Sequence, residues 1–205
     1  MAATTPQYVG QAKEGDSSGL QEAAKRHLWM HFTRHSAYEV ADVPILVRGE
    51  GCYVYEANGK RYLDGLAALF CVNVGHGRAE IADAMGRQAR ELAYYTNWSY
   101  AHPGAISLAE RIVKLAPDGF NRVFFTSGGS EAVESALKLA RAWHKRNGEA
   151  GRYKLIAREI AYHGTTMGAL SATGIPALRE PFEPMLQGGC HVPNTDSYRW
   201  PAGHR

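Results

Sequence analysis

Between Asn121 and Thr173 the sequence alternates twice between two hydrophobic rhythms. A run of β-formers at Val123–Thr126 gives way to a helical pattern over Ser130–Asn147. A second apolar run, Tyr153–Arg158, precedes a second helical pattern over about Thr165–Thr173. A strand–helix–strand–helix order implies parallel strands joined by right-handed crossovers, so the chain is expected to be a layered α/β protein. With 205 residues, 45% hydrophobic and 21% charged, it carries enough apolar material for a sizeable core.

The segments before this block read differently. Met1–Gly19 is rich in Gly, Ser and Thr and reads as a loose arm; Ser17 or Ser18 is placed to cap a helix running from near Leu20 through "QEAAKRHLWMHFTRH". Gly51–Asp64 alternates β-formers on either side of Asn58-Gly59, which predicts a β-hairpin closed by a type I′ turn. Helical patterns follow over Ile81–Tyr94 and after His102-Pro103-Gly104. The apolar side of the second comprises Ile106, Leu108, Ala109, Ile112, Val113 and Leu115, and Pro117-Asp118-Gly119 ends it. The proline-rich tail reads as loop around a short strand at Cys190–Val192.

Several function classes are disfavoured by composition. The formal charge of +3 is spread along the chain without a basic–aromatic repeat, so nucleic acid is not the expected partner. The longest clean apolar run, Leu66–Val72, is far too short to span a membrane. No secretory signature opens the chain, and Cys52, Cys71 and Cys190 are odd in number and widely spaced. They read as buried thiols in a reducing cytoplasm. His27, His31 and His35 recur at helical spacing on one face, but without the carboxylate of a His-Glu-x-x-His site, so no metal is expected. Asp64 reads as a residue that satisfies backbone near the hairpin, and Gly77 as a turn glycine.

The turn Thr126-Ser127-Gly128-Gly129-Ser130 carries the chemistry. It places Gly129 and Ser130 at a helix N-terminus, where unpaired backbone N–H groups point outward, glycine admits close approach and a hydroxyl adds a donor: a pocket suited to phosphate. The same residues read equally well as an N-cap and a plain strand-to-helix turn. There is no Gly-Lys-Ser/Thr ending and no third glycine, so neither a P-loop nor a dinucleotide fingerprint fits. Tyr162-His163-Gly164 ends the next strand, at the same sheet edge if the strands are parallel, where an aromatic ring could stack on a flat cofactor. Phosphate pocket and stacking aromatic together suggest a phosphorylated aromatic cofactor.

The ordered stretches "HLWMHFT", "YLDGLAALFCVNVGHGR", "FFTSGGSEAVESALKLAR" and "YHGTTMGALSATG" resemble the class III aminotransferases, pyridoxal-phosphate enzymes of fold type I, especially those acting on ω-amino acids and amines with pyruvate. The resemblance implies an incomplete fold type I architecture: the arm 1–19, a segment of the small N-terminal lobe with its hairpin over 20–75, and the first part of the large, mainly parallel-sheet domain over 76–205. It implies that Gly128, Gly129 and Ser130 hold the phosphate of pyridoxal 5′-phosphate, that Tyr162 stacks on the pyridine ring with His163 beside it, and that Leu69 and Phe70 line the substrate pocket. Trp98 is implied to join that pocket across a homodimer interface. An amine or ω-amino acid donor and a keto acid acceptor are the implied substrates.

Two positions depart from the family pattern, which commonly has Ser-Gly-Ser where this chain has Gly128-Gly129-Ser130, and often tryptophan at Phe70. No catalytic residue is assigned. The Schiff-base lysine and the acid at the pyridine nitrogen lie beyond the "YHG" segment in chains about twice this long, whereas Lys60, Lys138, Lys145 and Lys154 read as solvated structural residues. The expectation is a truncated, inactive N-terminal part of an aminotransferase that is poorly soluble by itself. The alternative is a noncatalytic remnant that pairs with a complete subunit or binds cofactor weakly. A dinucleotide-binding oxidoreductase stays open only as a reading of the βαβα rhythm.

Overall fold

The computed structural model describes residues 18–186, 188–196 and 198. The chain divides into two compact units after Tyr100. All but the last two residues of the expected N-terminal arm lie outside the described residues, as does Ser17.

The first unit is built on a three-stranded antiparallel meander, β1 (Leu46–Glu50), β2 (Tyr53–Glu56) and β3 (Arg61–Leu63). The hairpin read from the sequence is β2–β3, with Val54 opposite Tyr62, and β1 extends it with a bulge between Leu46 and Arg48. The turn is not type I′, because Gly59 (φ 86°) takes positive φ and Asn58 does not. Glu56 O accepts the Gly59 N–H at 2.8 Å and Glu56 N–H reaches Lys60 O, which makes a three-residue loop with a glycine bulge. Asn58 spends its side-chain oxygen on the Lys60 N–H at 2.9 Å, a local bond that the type I′ geometry would forgo. Guanidinium groups cover the strand aromatics, Arg48 over its cross-strand partner Tyr55 at 3.6 Å and Arg61 over Tyr53 at 4.5 Å.

Helix α1 (Ser18–His27) is shorter than expected: Ser18 is already helical, and the chain turns before a 3₁₀ segment at His35–Glu39. His27, His31 and His35 therefore share no helical face. The His35 ring folds back, its Nε2 accepting the Met30 N–H at 3.0 Å. Gln21 ties α1 to the chain ahead of β1, donating to Val43 O at 2.7 Å and accepting from Val43 N at 2.9 Å.

After β3 the backbone makes a single left-handed turn, α2 (Ala67–Phe70), with φ of 48°, 47°, 65° and 66°. None of these residues is glycine, and left-handed backbone costs an L-residue roughly 1–2 kcal/mol. Helix α3 (Ala79–Glu91) follows, its basic end at Arg90 matching the helix dipole.

The second unit begins with α4 (Pro103–Leu115), capped by His102 Nδ1 on the Ala105 N–H and opened by Pro103. Its apolar side stays exposed, and α4 packs against no other element among the described residues. Val123–Thr126 is a correction to the sequence reading: it belongs to no strand among the described residues, since no neighbour supplies a hydrogen-bonded ladder, and Phe124 is exposed. Helix α5 (Gly129–Arg146) then runs to β4 (Leu155–Arg158), α6 (Met167–Ala172), α7 (Pro176–Arg179) and β5 (Gly189–Val192).

Strands β4 and β5 pair in parallel, Ile156 opposite Cys190; the parallel pairing expected between Val123–Thr126 and Tyr153–Arg158 does not form among the described residues, and β4 takes the later β5 as its neighbour instead. Ala157 of β4, Ala169, Leu170 and Ala172 of α6, and fully buried Thr173 form the core of the unit, with α6 packed over both strands. The free cysteines are exposed, Cys190 included, and not buried as expected. Two fall in short surface turns, and Cys190 points away from the small core of the β4–β5 ribbon.

Candidate functional site

The glycine turn and the Tyr162 loop meet at one hydrogen bond. Ser130 Oγ accepts the Thr165 N–H at 3.1 Å, joining the first turn of α5 to the loop that follows β4. Glycine is required at 164, where φ is 125° and a Cβ would sit 2.4 Å from Ser130 Oγ and 3.0 Å from its Cα. Ser130 is therefore not the N-cap. Gly128 holds that position with extended backbone (φ −169°, ψ 175°), and Ser130 lies inside the helix.

Below this joint the loop is fastened by polar side chains that were not singled out from the sequence. Glu134, one turn along α5, accepts from Thr166 Oγ at 2.7 Å, Gly168 N at 2.8 Å and Ala169 N at 3.2 Å, and so caps α6 from a neighbouring helix. The Thr166 hydroxyl, followed by the two backbone donors, holds the Glu134 carboxyl below the usual range of a glutamate. Thr173 clamps the other end, donating to Gly164 O at 3.0 Å and accepting the His163 N–H at 3.0 Å. A buried threonine closing a short helix, and an acid one turn after Ser130, were the available signals.

Above the joint the space is open. A Cβ at Gly129 would meet nothing within 4 Å, and the first backbone amides of α5 have no intrahelical acceptor; Ala132 N–H is the one that bonds to Gly128 O. Ser130 Oγ, having accepted one bond, keeps its O–H to donate. An anion approaching Gly129 would meet oriented N–H groups, the positive end of an 18-residue helix and a hydroxyl. The Glu131 carboxylate stands close by, at 2.8 Å from where a Cβ of Gly128 would be. Tyr162 is exposed on the loop beside the joint, and His163 lines a hollow of about 690 Å³ at the carboxyl ends of β4 and β5, with Arg158, Ile160, Ala161, Val192 and Asn194.

A family model for class III aminotransferases matches residues 36–203. The chain belongs to the class III aminotransferases. It is 52% identical over 185 residues to the probable aminotransferase Rv3329 of Mycobacterium tuberculosis, covering 90% of this chain and 39% of that one. Among solved structures it superposes on an (S)-enantioselective omega-transaminase from Thermomicrobium roseum with a TM-score of 0.87 at 41% identity, covering 91% of this chain and 42% of the other. It also superposes on the omega transaminase of Pseudomonas jessenii in complex with PMP, with a TM-score of 0.86 at 32% identity, covering 90% and 41%. The chain thus spans about two-fifths of the length of the relatives it matches. Its fold is part of the fold type I architecture, and pyridoxal-phosphate dependence follows from the family.

The aminotransferase residues expected in the first unit lie on two segments. Leu69 and Phe70 sit on the left-handed turn α2, 67% and 70% exposed. Trp98 is exposed in a separate turn, its N–H donating to Thr96 Oγ at 3.0 Å. Asp64 satisfies backbone after the hairpin as expected, both carboxylate oxygens accepting the Ala68 N–H at 2.9 and 3.1 Å. His76 Nε2 donates to the same carboxylate at 2.8 Å; this bond first, then Ala68, holds the Asp64 carboxyl below its ordinary value. Gly77 takes left-handed backbone (φ 74°) between the His76 bridge and α3, but lies in no turn. No helix among the described residues is long and apolar enough to cross a membrane.

Proposed function

We propose that this chain supplies the phosphate-binding end and the ring-facing loop of an ω-type aminotransferase, which moves an amino group from an amine or ω-amino acid to a keto acid such as pyruvate. The observation that carries this reading is the Ser130 Oγ–Thr165 N–H bond, which joins an open helix N-terminus to the loop bearing Tyr162 and His163. Pyridoxal phosphate, when bound, supplies a conjugated pyridine ring that takes up the electron pair released as a donor C–H bond breaks.

In this reading the Gly129 and Ser130 N–H groups and the Ser130 hydroxyl bind the phosphate. Gly128, lacking the hydroxyl common in relatives, contributes backbone alone. Tyr162 offers its ring face to the cofactor, and His163 stands beside it at the strand ends. Leu69 and Phe70 present apolar surface to the donor's side chain, and Trp98 joins them in a cytoplasmic homodimer. The reacting amine and the acid at the pyridine nitrogen belong to other residues of the complete protein, so residues 1–205 alone do not turn over.

The test is the intact mass of the protein made from its complete gene, with pyridoxal phosphate, before and after borohydride reduction. One reduced adduct on a lysine beyond position 205, together with amine-to-pyruvate activity, is the expected result. No specific adduct would leave a remnant with a phosphate cradle and no transamination.

A further inference from the structure

The left-handed turn α2 is held in place from below. The Asp64 carboxylate accepts the Ala68 N–H on both oxygens, and His76 Nε2 binds the same carboxylate at 2.8 Å. His76 is itself fixed: its N–H reaches Gly51 O at 2.8 Å, its carbonyl accepts the Gly51 N–H at 3.1 Å, and its ring lies against Gly49, where a Cβ would come within 2.6 Å. A chain of rigid contacts therefore runs from β1 through His76 and Asp64 to the backbone of Ala68. The Asp64 and His76 side chains are 12% and 19% exposed, whereas Leu69 and Phe70, next along the backbone, are 67% and 70% exposed. The pair touches the backbone of the turn and leaves its displayed face bare.

We propose that Asp64 and His76 are positioning residues that hold the turn displaying Leu69 and Phe70, and that through this turn they set which amine donors the enzyme accepts. This rests on the reading of Leu69 and Phe70 as pocket residues. Without the carboxylate, four consecutive non-glycine residues in left-handed backbone keep only main-chain bonds such as Phe70 N–H to Leu66 O and lose their side-chain support, and the two apolar side chains lose their fixed direction.

The test uses the protein from its complete gene with a fixed keto acid acceptor and two donors, 2-aminopropane and 1-phenylethylamine. Phe70→Ala is expected to change the ratio of kcat/KM for the two donors about tenfold. Asp64→Ala is expected to change it at least fivefold, chiefly through KM, with the bound-cofactor absorbance unchanged. Asp64→Asn, whose amide oxygen still accepts from Ala68, and His76→Gln should give smaller shifts. Adding Ala68→Gly to Asp64→Ala should recover part of the ratio, since glycine relieves one of the four left-handed positions, the one the carboxylate contacts.

A merely structural role predicts equal losses on both donors. That result, or no change, in Asp64→Ala while Phe70→Ala shifts the ratio overturns the positioning role alone. An unmoved ratio in Phe70→Ala overturns the pocket assignment and the proposal with it. If Asp64→Ala does not accumulate as folded protein, Asp64→Asn and His76→Gln read the same ratio.

Discussion

At the scale of single residues, the glycine turn proposed to hold phosphate and its fastening make opposite demands. Gly128 does not need to be glycine for its backbone, which is extended; the obstacle to a side chain is the Glu131 carboxylate. A flexible carboxylate can turn aside, and a hydroxyl given to a phosphate is a charge-assisted bond. Gly128→Ser is therefore expected to tighten pyridoxal phosphate by about 1 kcal/mol, roughly fivefold in Kd, read by absorbance titration; weaker binding would mean that Glu131 is fixed. Glu134 acts on stability. Because its carboxyl is held low, the stabilisation it gives is fully present above the unfolded glutamate value of about 4.3 and is lost as pH falls through the folded value. Glu134→Ala should cost about 1–2 kcal/mol near neutrality and flatten the acid limb of a stability–pH curve. An acid limb identical to that of the parent protein would show that Glu134 is idle.

At the scale of elements, what the sequence revealed depended on whether the determining contacts were local. The β2–β3 hairpin, α3 and α5 follow from alternation, periodicity and charge order, all read within a few neighbouring residues. The turn type at Asn58-Gly59 was missed because the Asn58 side chain had an equally local alternative. β1 was missed because a strand on a bulged edge leaves a weak alternation. Helix α1 ended earlier than its pattern, since helical spacing alone does not mark where a histidine ring will fold back onto the backbone. Of the site, the glycine turn was legible, and the Tyr162 loop was placed beside it. The fastening through Glu134 and Thr173, and the tie from His76 to Asp64, were not, because they join residues that no local pattern relates.

At the scale of the whole molecule, apolar surface is the dominant fact. Ile106, Leu108 and Leu115 on α4, together with Phe124, Trp29 and Trp143, are exposed. Contiguous exposed apolar surface is rare on monomeric soluble proteins, and α4, whose apolar side packs against no other element among the described residues, presents such a surface. Residues 1–205 expressed alone are accordingly expected to sediment as an associated species without a sharp thermal transition. A monomer that melts cooperatively would count against this reading of the fold.

The joint between α5 and the Tyr162 loop also bears on the order of assembly. The Ser130–Thr165 and Glu134–Ala169 bonds each link residues 35 apart, and Thr173 closes back on Gly164 over only 9. Loop closure over such spans is inexpensive in entropy. None of these bonds needs a residue later than Thr173. On a chain that emerges from the ribosome at about 5–20 residues per second, the joint proposed to cradle an anion can close within seconds of its own synthesis, ready to serve as a template for whatever is translated next.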